Sequence, residues 1–450
     1  MNGSGALTLQ TAGRVLRAEG LAALRDRIAD RVRESLRRRS FRATANGSLG
    51  ATPIPVLNVL PTGPTPRLGG LQSQLLTRIE AEAARRSLAL LYPEAGGYRL
   101  EVAAGGRRVA LGLVGAPPSP VALRDEGFER AVERAAAEIG ARALHVEGLS
   151  GIPLGSLASA VRRTGLDLVL SVHDFGLFCP RPHLLEEPAS RFCGYSRDRE
   201  RCARCLARDW AVGLGFQEER RELALEVLRA ARAVVYPSDF LRQRHLELFP
   251  GLPEERQRVI EPSVPGGGGP AGPRSGPVRH VAYIGQVQPH KGALVFEEVI
   301  RRLPPASRPD LRWSAYGGGD AGLLQRLRGL PRVRVRGYYR SGSLVDRLRR
   351  DHVDLALLLS IVPESYSLAL SECRAAGVPV LAFDHGAIAE RIRRQGGGLL
   401  VDPSEGVAGV AAAIADLAKG KRVSPAAPPF PPAPPAAEAF QELYRELGLT

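Results

Sequence analysis

The chain has 450 residues, 44% hydrophobic and 24% charged, which fits a folded globular protein of two ordinary domains and excludes a single small core. Lysine plus arginine outnumber aspartate plus glutamate 62 to 47, for a net charge of +15, a balance that suits phosphates, nucleic acid or anionic lipid. Apolar runs such as 354–362 fall far short of the ~20 residues that span a bilayer. The opening MNGSGALTLQTAGRVLR has no apolar core for a signal peptide, so a cytoplasmic protein is expected.

In chain order, residues 12–42 carry a helical pattern. Leu21, Leu24, Ile28, Val32 and Leu36 recur at steps of three and four, with Arg25, Arg31, Arg33 and Arg38 on the other faces. Such a helix either docks on protein, its own or a partner's, or lies on the anionic inner face of a membrane. Residues 1–50 are therefore set apart as a basic helix and linker, NGSLGATPIP being loop-like.

From residue 51 short apolar strands alternate with helical patterns. Strands are expected at 56–60, 87–92, 143–147, 167–173 and 233–237, and helices at 71–86, 128–141, 154–165 and 217–232. A first domain then spans 51–263. The glycine- and proline-rich 264–278 cannot offset its ordering cost with buried contacts and is expected as a hinge. Alternation resumes over 279–422, with strands at 280–285, 311–317, 333–337, 353–360, 378–383 and 398–402, and helices at 291–303, 341–351, 367–376, 387–395 and 406–418. A proline-rich tail and short terminal helix fill 423–450. This pattern predicts an α/β protein with two doubly wound, Rossmann-like domains facing across a cleft.

Doubly wound sheets bind ligands beyond the carboxyl ends of their strands. There lie Gly285, Gln286 and Lys291 after one strand, Gly317 after the next, and Glu364 after a third. Glu364 precedes a helix whose first N–H groups, near Ser367 and Leu368, can face an anion, and Glu372 lies inside that helix. At ~1.5 Å rise per residue, 367 to 372 span only about 8 Å. The two carboxylates can thus hold two parts of one long ligand, each accepting hydroxyls, with phosphate between them.

GQVQPHKG, YGGG, VRGYY, DLALLLSIVPESY, the second glutamate, AAGVPVLAF and GGGLLVDP follow in order over 279–418. This succession resembles the nucleotide-sugar domain of the group 1 retaining glycosyltransferases of GT-B fold. The likeness extends more weakly over the first half, through the glycine loop at Gly69 and Gly70, SVHDF with His173, and VVYPSDFLRQRH with Ser238. It implies a nucleotide-diphosphate sugar as donor and a transfer that needs no metal. In the carry-over, Glu364 meets the donor sugar, Glu372 the ribose, Lys291 the diphosphate, and backbone at Ser367 and Leu368 a phosphate. His173 stands near donor sugar and acceptor. The chain departs from the family at Gln286, where arginine is usual, at Ser367, where glycine is common, and at Cys373, where alanine is common.

Four of five cysteines, Cys179, Cys193, Cys202 and Cys205, form C-x13-C-x8-C-x2-C inside the first domain. A chain of this size without a secretion signal points to metal rather than disulfides. Zinc on four thiolates is expected, with an Fe–S cluster as rival and His183 as a substitute ligand. Cys373 is expected as a small packing residue. The expected activity is hexosyl transfer from a nucleotide-diphosphate sugar to a glycan or lipid-linked acceptor, in polysaccharide or cell-envelope synthesis. A non-catalytic binder of the same fold is the alternative. A nucleic-acid binder is disfavoured, since no aromatic interleaving accompanies the arginines.

Overall fold

The structure is a computed structural model that describes residues 13, 15–17, 19–39, 42–43, 53–63, 70–94, 96–104, 107–114, 119–263, 276–340, 342–421 and 435–450. The 46–55 linker for the most part, Gly69, nearly all of the 264–278 segment and most of the proline-rich tail lie outside them. The chain divides into two compact units, one of residues 1–34 and 264–432, the other of 35–263 and 433–450.

The unit holding 264–432 is built on six strands: β12 (His280–Ile284), β13 (Arg312–Tyr316), β14 (Val333–Gly337), β15 (Leu355–Leu358), β16 (Val380–Phe383) and β17 (Gly398–Val401). Their order is β14-β13-β12-β15-β16-β17, every neighbour parallel. Both faces are covered by helices, so the inner strands β12, β15 and β16 read as nearly continuous apolar runs with cores on either side, whereas the edge strand β14 alternates valine with arginine.

The other unit carries a nine-stranded sheet. Its strands are β1 (Arg42–Ala43), β2 (Val56–Val59), β3 (Leu88–Glu94), β4 (Gly97–Ala104), β5 (Arg107–Val114), β6 (Ala143–Glu147), β7 (Asp167–Ser171), β10 (Ala233–Tyr236) and β11 (Gln257–Val259), in the order β1-β5-β4-β3-β2-β6-β7-β10-β11. β3, β4 and β5 pair antiparallel, a meander that uniform strand–helix alternation does not anticipate. The remaining pairs are parallel, and β8 (Leu185–Glu186) and β9 (Arg191–Phe192) form a separate antiparallel pair.

Both ends of the chain dock against sheet-built units. The N-terminal helix (Leu21–Arg39) packs on the unit of 264–432 with its acidic face. Asp30 accepts from the Tyr338 hydroxyl at 2.7 Å, Glu19 from the Tyr338 N–H at 2.9 Å, and Asp26 pairs with buried Arg347. The stripe expected to make the contact points away instead, with Leu21, Ile28 and Val32 exposed. Buried carboxylates with cationic and N–H partners have outcompeted a narrow apolar stripe. The C-terminal helix (Ala436–Glu446) lays Phe440, Leu443 and Tyr444 against Val56, Ala143, Val169 and Val235 of the nine-stranded sheet. Among the described residues no helix is long and apolar enough to cross a membrane.

Candidate active site

Three loops meet beyond the carboxyl ends of β12, β13 and β15. Gly317 follows β13 at φ 140°, and a Cβ there would stand 1.8 Å from the Gly285 carbonyl oxygen, so only glycine allows the two loops to touch. Lys291 does not open a helix as its position suggested. It ends a 3-10 turn (Pro289–Lys291), and the helix starts at Ala293 after Gly292 at φ 78°, where a Cβ would meet the Leu359 carbonyl at 1.8 Å. The Tyr283 hydroxyl, near the Gln286 and Lys291 carbonyls at 2.6 and 3.1 Å, ties this loop to its strand. Gln286 is exposed.

Lys291 Nζ lies 2.6 Å from Glu364 Oε1. Burial would raise the Glu364 carboxyl, but the ammonium beside it holds it below the ordinary range. Glu372 is in a different setting. It is 4% exposed on the helix Leu368–Ala375, and among the described residues its Oε1 accepts from the Gly342 N–H, at 2.9 Å. Burial therefore dominates and pushes it up to about 7. The two glutamates are not an acid/base pair; each faces its own loop, with the helix start between them in the chain.

Ser367 sits at that start with φ 75° and ψ 95°, and its Oγ accepts from the Leu370 N–H at 3.3 Å. A left-handed backbone here gives a physical reason for the glycine common in the resembled family. Arg391, from the helix Gly386–Gln395, braces the turn. It donates to the carbonyls of Tyr366 and Ser367 at 3.2 and 3.0 Å and to Ser371 Oγ at 2.7 Å. Cys373 is fully buried and burial raises its thiol, as a packing residue should show.

In the other unit, His173 follows β7, and its Nε2 donates to Glu147 Oε2 at 3.0 Å. Asp174 turns inward to accept from the Gly176 N–H at 2.7 Å, so it is not the partner of His173. Glu147 is 1% exposed at the end of β6. Burial opposes its charge, but the Arg78 guanidinium, with the hydrogen bond from His173, holds it well below the usual carboxylate range. His145 Nε2 is 3.1 Å from Glu147 and 2.7 Å from Ser171 Oγ, and Nδ1 is 2.5 Å from the Tyr444 hydroxyl. Burial lowers His145 to about 3, so it is neutral at physiological pH. The chain thus reaches from the C-terminal helix to His173 through fully buried groups. Gly70 opens the helix Gly70–Ala83, which supplies Arg78, and Ser238 caps the helix Asp239–Leu248, accepting from the Leu241 N–H at 3.2 Å.

The four clustered cysteines are free and border one cavity of about 20 Å³. Glu187 N–H donates to Cys205 Sγ at 3.3 Å, and backbone N–H groups of Arg181 and of Tyr195 and Ser196 point at Cys179 and Cys193. Burial raises the thiols of Cys179 and Cys193, and these donors offset it only in part; the cavity has room for one water- or ion-sized sphere. Among the described residues, however, no three His, Cys, Asp or Glu side chains are gathered closely enough to hold a metal ion. The spacing of the cysteines predicts a ready four-thiolate site; the structure brings the thiols to one cavity without closing them into a ligand set.

Residues 278–420 match the family described as "Glycosyl transferases group 1". This segment belongs to the group 1 glycosyltransferases. It contains every loop of the Lys291–Glu364–Glu372 site. Solved structures share the fold over most of the chain. HepE of Anabaena, in complex with UDP and glucose, superposes with a TM-score of 0.55 at 15% identity over 87% of this chain and 99% of its own. Sucrose-phosphate synthase of Thermosynechococcus elongatus gives 0.54 at 15% identity over 88% and 99%. The catalytic domain of starch synthase IV of Arabidopsis thaliana, bound to ADP and acarbose, gives 0.54 at 12% over 88% and 99%. The fold is therefore that of the two-domain GT-B glycosyltransferases. No curated protein sequence matches this chain.

Glu147, Arg78, His145 and Arg391 had not been singled out from sequence. The signal for Glu147 was present, since His145 and Glu147 interrupt a strand that is otherwise apolar. A buried strand tolerates such residues only when they are paired.

Proposed function

We propose that the protein is a retaining glycosyltransferase that moves a hexosyl group from a nucleotide-diphosphate sugar to a glycan or lipid-linked acceptor, in the synthesis of polysaccharide or cell envelope. The observation that carries this is the Lys291–Glu364 ion pair beside the start of the helix bearing Glu372, inside the segment that matches the family. The UDP and ADP bound by HepE and starch synthase IV agree with a donor of this class.

The mechanism follows from an exchange of partners. In the free protein Lys291 neutralises Glu364. An arriving diphosphate draws the ammonium to itself, and Glu364 then accepts hydroxyls of the donor sugar. Glu372 accepts the ribose hydroxyls. The leaving diphosphate gains charge as the glycosidic bond breaks, and Lys291 with the N–H groups at Leu368 stabilises it without reorganisation. These fixed donors do the work asked of a metal in other transferases. His173, its Nε2–H committed to Glu147, presents Nδ1 as an acceptor for a substrate hydroxyl.

The cysteine cluster belongs to the same proposal as a structural element. One zinc ion, drawing the thiols inward, is supported by the C-x2-C spacing, the shared cavity and the N–H donors at sulfur. A peripheral contact with anionic lipid would use the exposed Leu21, Ile28 and Val32 with their flanking arginines.

The test is a thermal-shift series with UDP, GDP, ADP and their sugars. At least one nucleotide is expected to raise the melting temperature saturably, and Glu372→Ala is expected to weaken that rise. No response to any of them overturns the proposal.

A further inference from the structure

The unit of 35–263 and 433–450 holds a pocket of about 200 Å³ at the carboxyl edge of its nine-stranded sheet. Its walls are apolar and come from four separate elements. Leu75 belongs to the helix Gly70–Ala83, Val235 and Pro237 to β10 and its end, Ile260 to the segment after β11, and Ala437 and Phe440 to the C-terminal helix. One end differs: there His173, Ser171, Glu147 and Arg78 line the same pocket. Those polar groups are engaged with one another. Arg78 pairs with Glu147, its guanidinium lies over the Phe440 ring at 4.4 Å, and Glu147 takes the Nε2–H of His173. With Nε2–H donated to Glu147, the nitrogen of His173 left to meet a ligand is Nδ1.

We infer that this pocket binds the apolar body of an alcohol whose hydroxyl donates to His173 Nδ1. For its place in the reaction the inference rests on the glycosyl-transfer proposal above, where that alcohol is the acceptor. The wall chemistry selects the class. A sugar ring here would turn several hydroxyls toward Leu75, Val235, Ile260 and Phe440, each losing its water without a partner. A hydrocarbon body loses nothing by the same transfer and gains the burial of its surface. Size agrees with this, because an apolar cavity of about 150 Å³ accommodates benzene. The pocket thus has room for one substituted aromatic ring or a short branched chain. A single hydroxyl is all that the polar end can use. Of the two acceptor classes expected from sequence, the lipid-linked one shares this chemistry and the glycan does not.

The test uses the full-length protein without donor and three probes: benzyl alcohol, toluene and methyl glucoside. Binding is followed by saturation-transfer NMR with competition. Benzyl alcohol is expected to bind saturably and about three- to tenfold tighter than toluene, the value of one hydrogen bond; methyl glucoside is expected not to displace it. His173→Ala should abolish the preference for the alcohol while toluene binding stays within about twofold. Ala437→Phe and, separately, Ile260→Trp should fill the pocket and weaken both apolar probes at least tenfold, and circular dichroism and melting verify that each variant is folded. Absence of saturable benzyl alcohol binding overturns the inference. So does binding unchanged in both folded filling variants, or displacement by methyl glucoside. A nucleotide thermal shift recorded on the same samples keeps the two proposals separate. A protein that binds benzyl alcohol as described but responds to no nucleotide loses the donor proposal and keeps the pocket; the converse result keeps the donor site alone.

Discussion

Replacing Glu372 by glutamine tests the donor site at its most distinctive group. The carboxyl is buried, accepts one backbone N–H, and titrates at about 7 instead of 4.5. That difference corresponds to about 3 kcal/mol of preference for the neutral acid in the folded state. The sign follows from proton counting. Between 4.5 and about 7 the folded protein holds the proton and the unfolded chain does not, so stability falls as pH rises through this window and the loss is complete above it. Glutamine keeps an oxygen for the Gly342 N–H and carries no charge, so Glu372→Gln is expected to raise the melting temperature at pH 8 by several degrees and have little effect at pH 5. Nucleotide binding should show the opposite preference. Ribose hydroxyls donate to a carboxylate, so the bound state favours the ionised form and about half a proton is released per nucleotide at pH 7. If binding returns the group to its ordinary value, affinity rises about 25- to 30-fold from pH 5.5 to 8 on this account alone. Calorimetry in buffers of different ionisation enthalpy reads the released proton directly. Comparison with Glu372→Gln subtracts what the phosphate itself titrates. Equal pH slopes in wild type and variant would refute the reasoning.

Other expectations concern the same loop system and the cysteines. Lys291→Met leaves Glu364 buried without its cation and should cost about 2–3 kcal/mol in chemical denaturation; adding Glu364→Gln should restore stability but not nucleotide binding, and a double variant that binds nucleotide normally would exclude Lys291 from the diphosphate site. At Ser367 the order of stability should be glycine at least equal to serine, and serine above alanine by about 1 kcal/mol, because glycine relieves the left-handed backbone whereas alanine keeps the strain and loses the cap. Equal stability of the alanine and glycine variants, measured by urea melts, would contradict that account. Elemental analysis of protein purified without added metal or chelator should find about one zinc per chain, absent from Cys202→Ser/Cys205→Ser; iron with sulfide, or no metal at all, counts against the four-thiolate proposal.

The unit holding 264–432 was legible because its signals are local. Each ligand loop follows a strand, each strand is an apolar run, and the glycines that permit close approach stand in fixed order between them. The 3-10 turn at 289–291 displaced the expected helix start by only two residues, which left Lys291 in the same loop. The other half was less legible for three physical reasons. β4 and β5 break the strand–helix alternation, although the alternating burial of Tyr98, Leu100 and Val102 is a clear strand signal. Which unit a terminal helix packs against depends on contacts hundreds of residues away, such as His145 with Tyr444 and Asp26 with Arg347. Burial of charge is also invisible to patterns that sort residues into apolar and polar, so the acidic docking face of the N-terminal helix, with Asp26 and Asp30, is not read from sequence.

Three glutamates withdrawn from water, two fully and Glu364 in part, show why the partner, and not the burial, decides the chemistry. Glu147 and Glu364 are each held ionised, the first by Arg78 and the hydrogen bond from His173, the second by Lys291. Glu372 is desolvated as well, has among the described residues a backbone N–H as its partner, and rises to about 7. Charge-compensated carboxylates can be built into a fold permanently, and Glu147 is such a part: it orients His173 and fastens the C-terminal helix. Glu364 is compensated by a lysine that a diphosphate can take away, which makes it conditional on ligand. Glu372 is compensated by nothing charged, so its ionisation must be completed from outside, by donors that a ligand brings. A site with one conditional and one uncompensated carboxylate on either side of a helix start is therefore asymmetric in the way an elongated ligand is, with phosphate in the middle and hydroxyls at both ends.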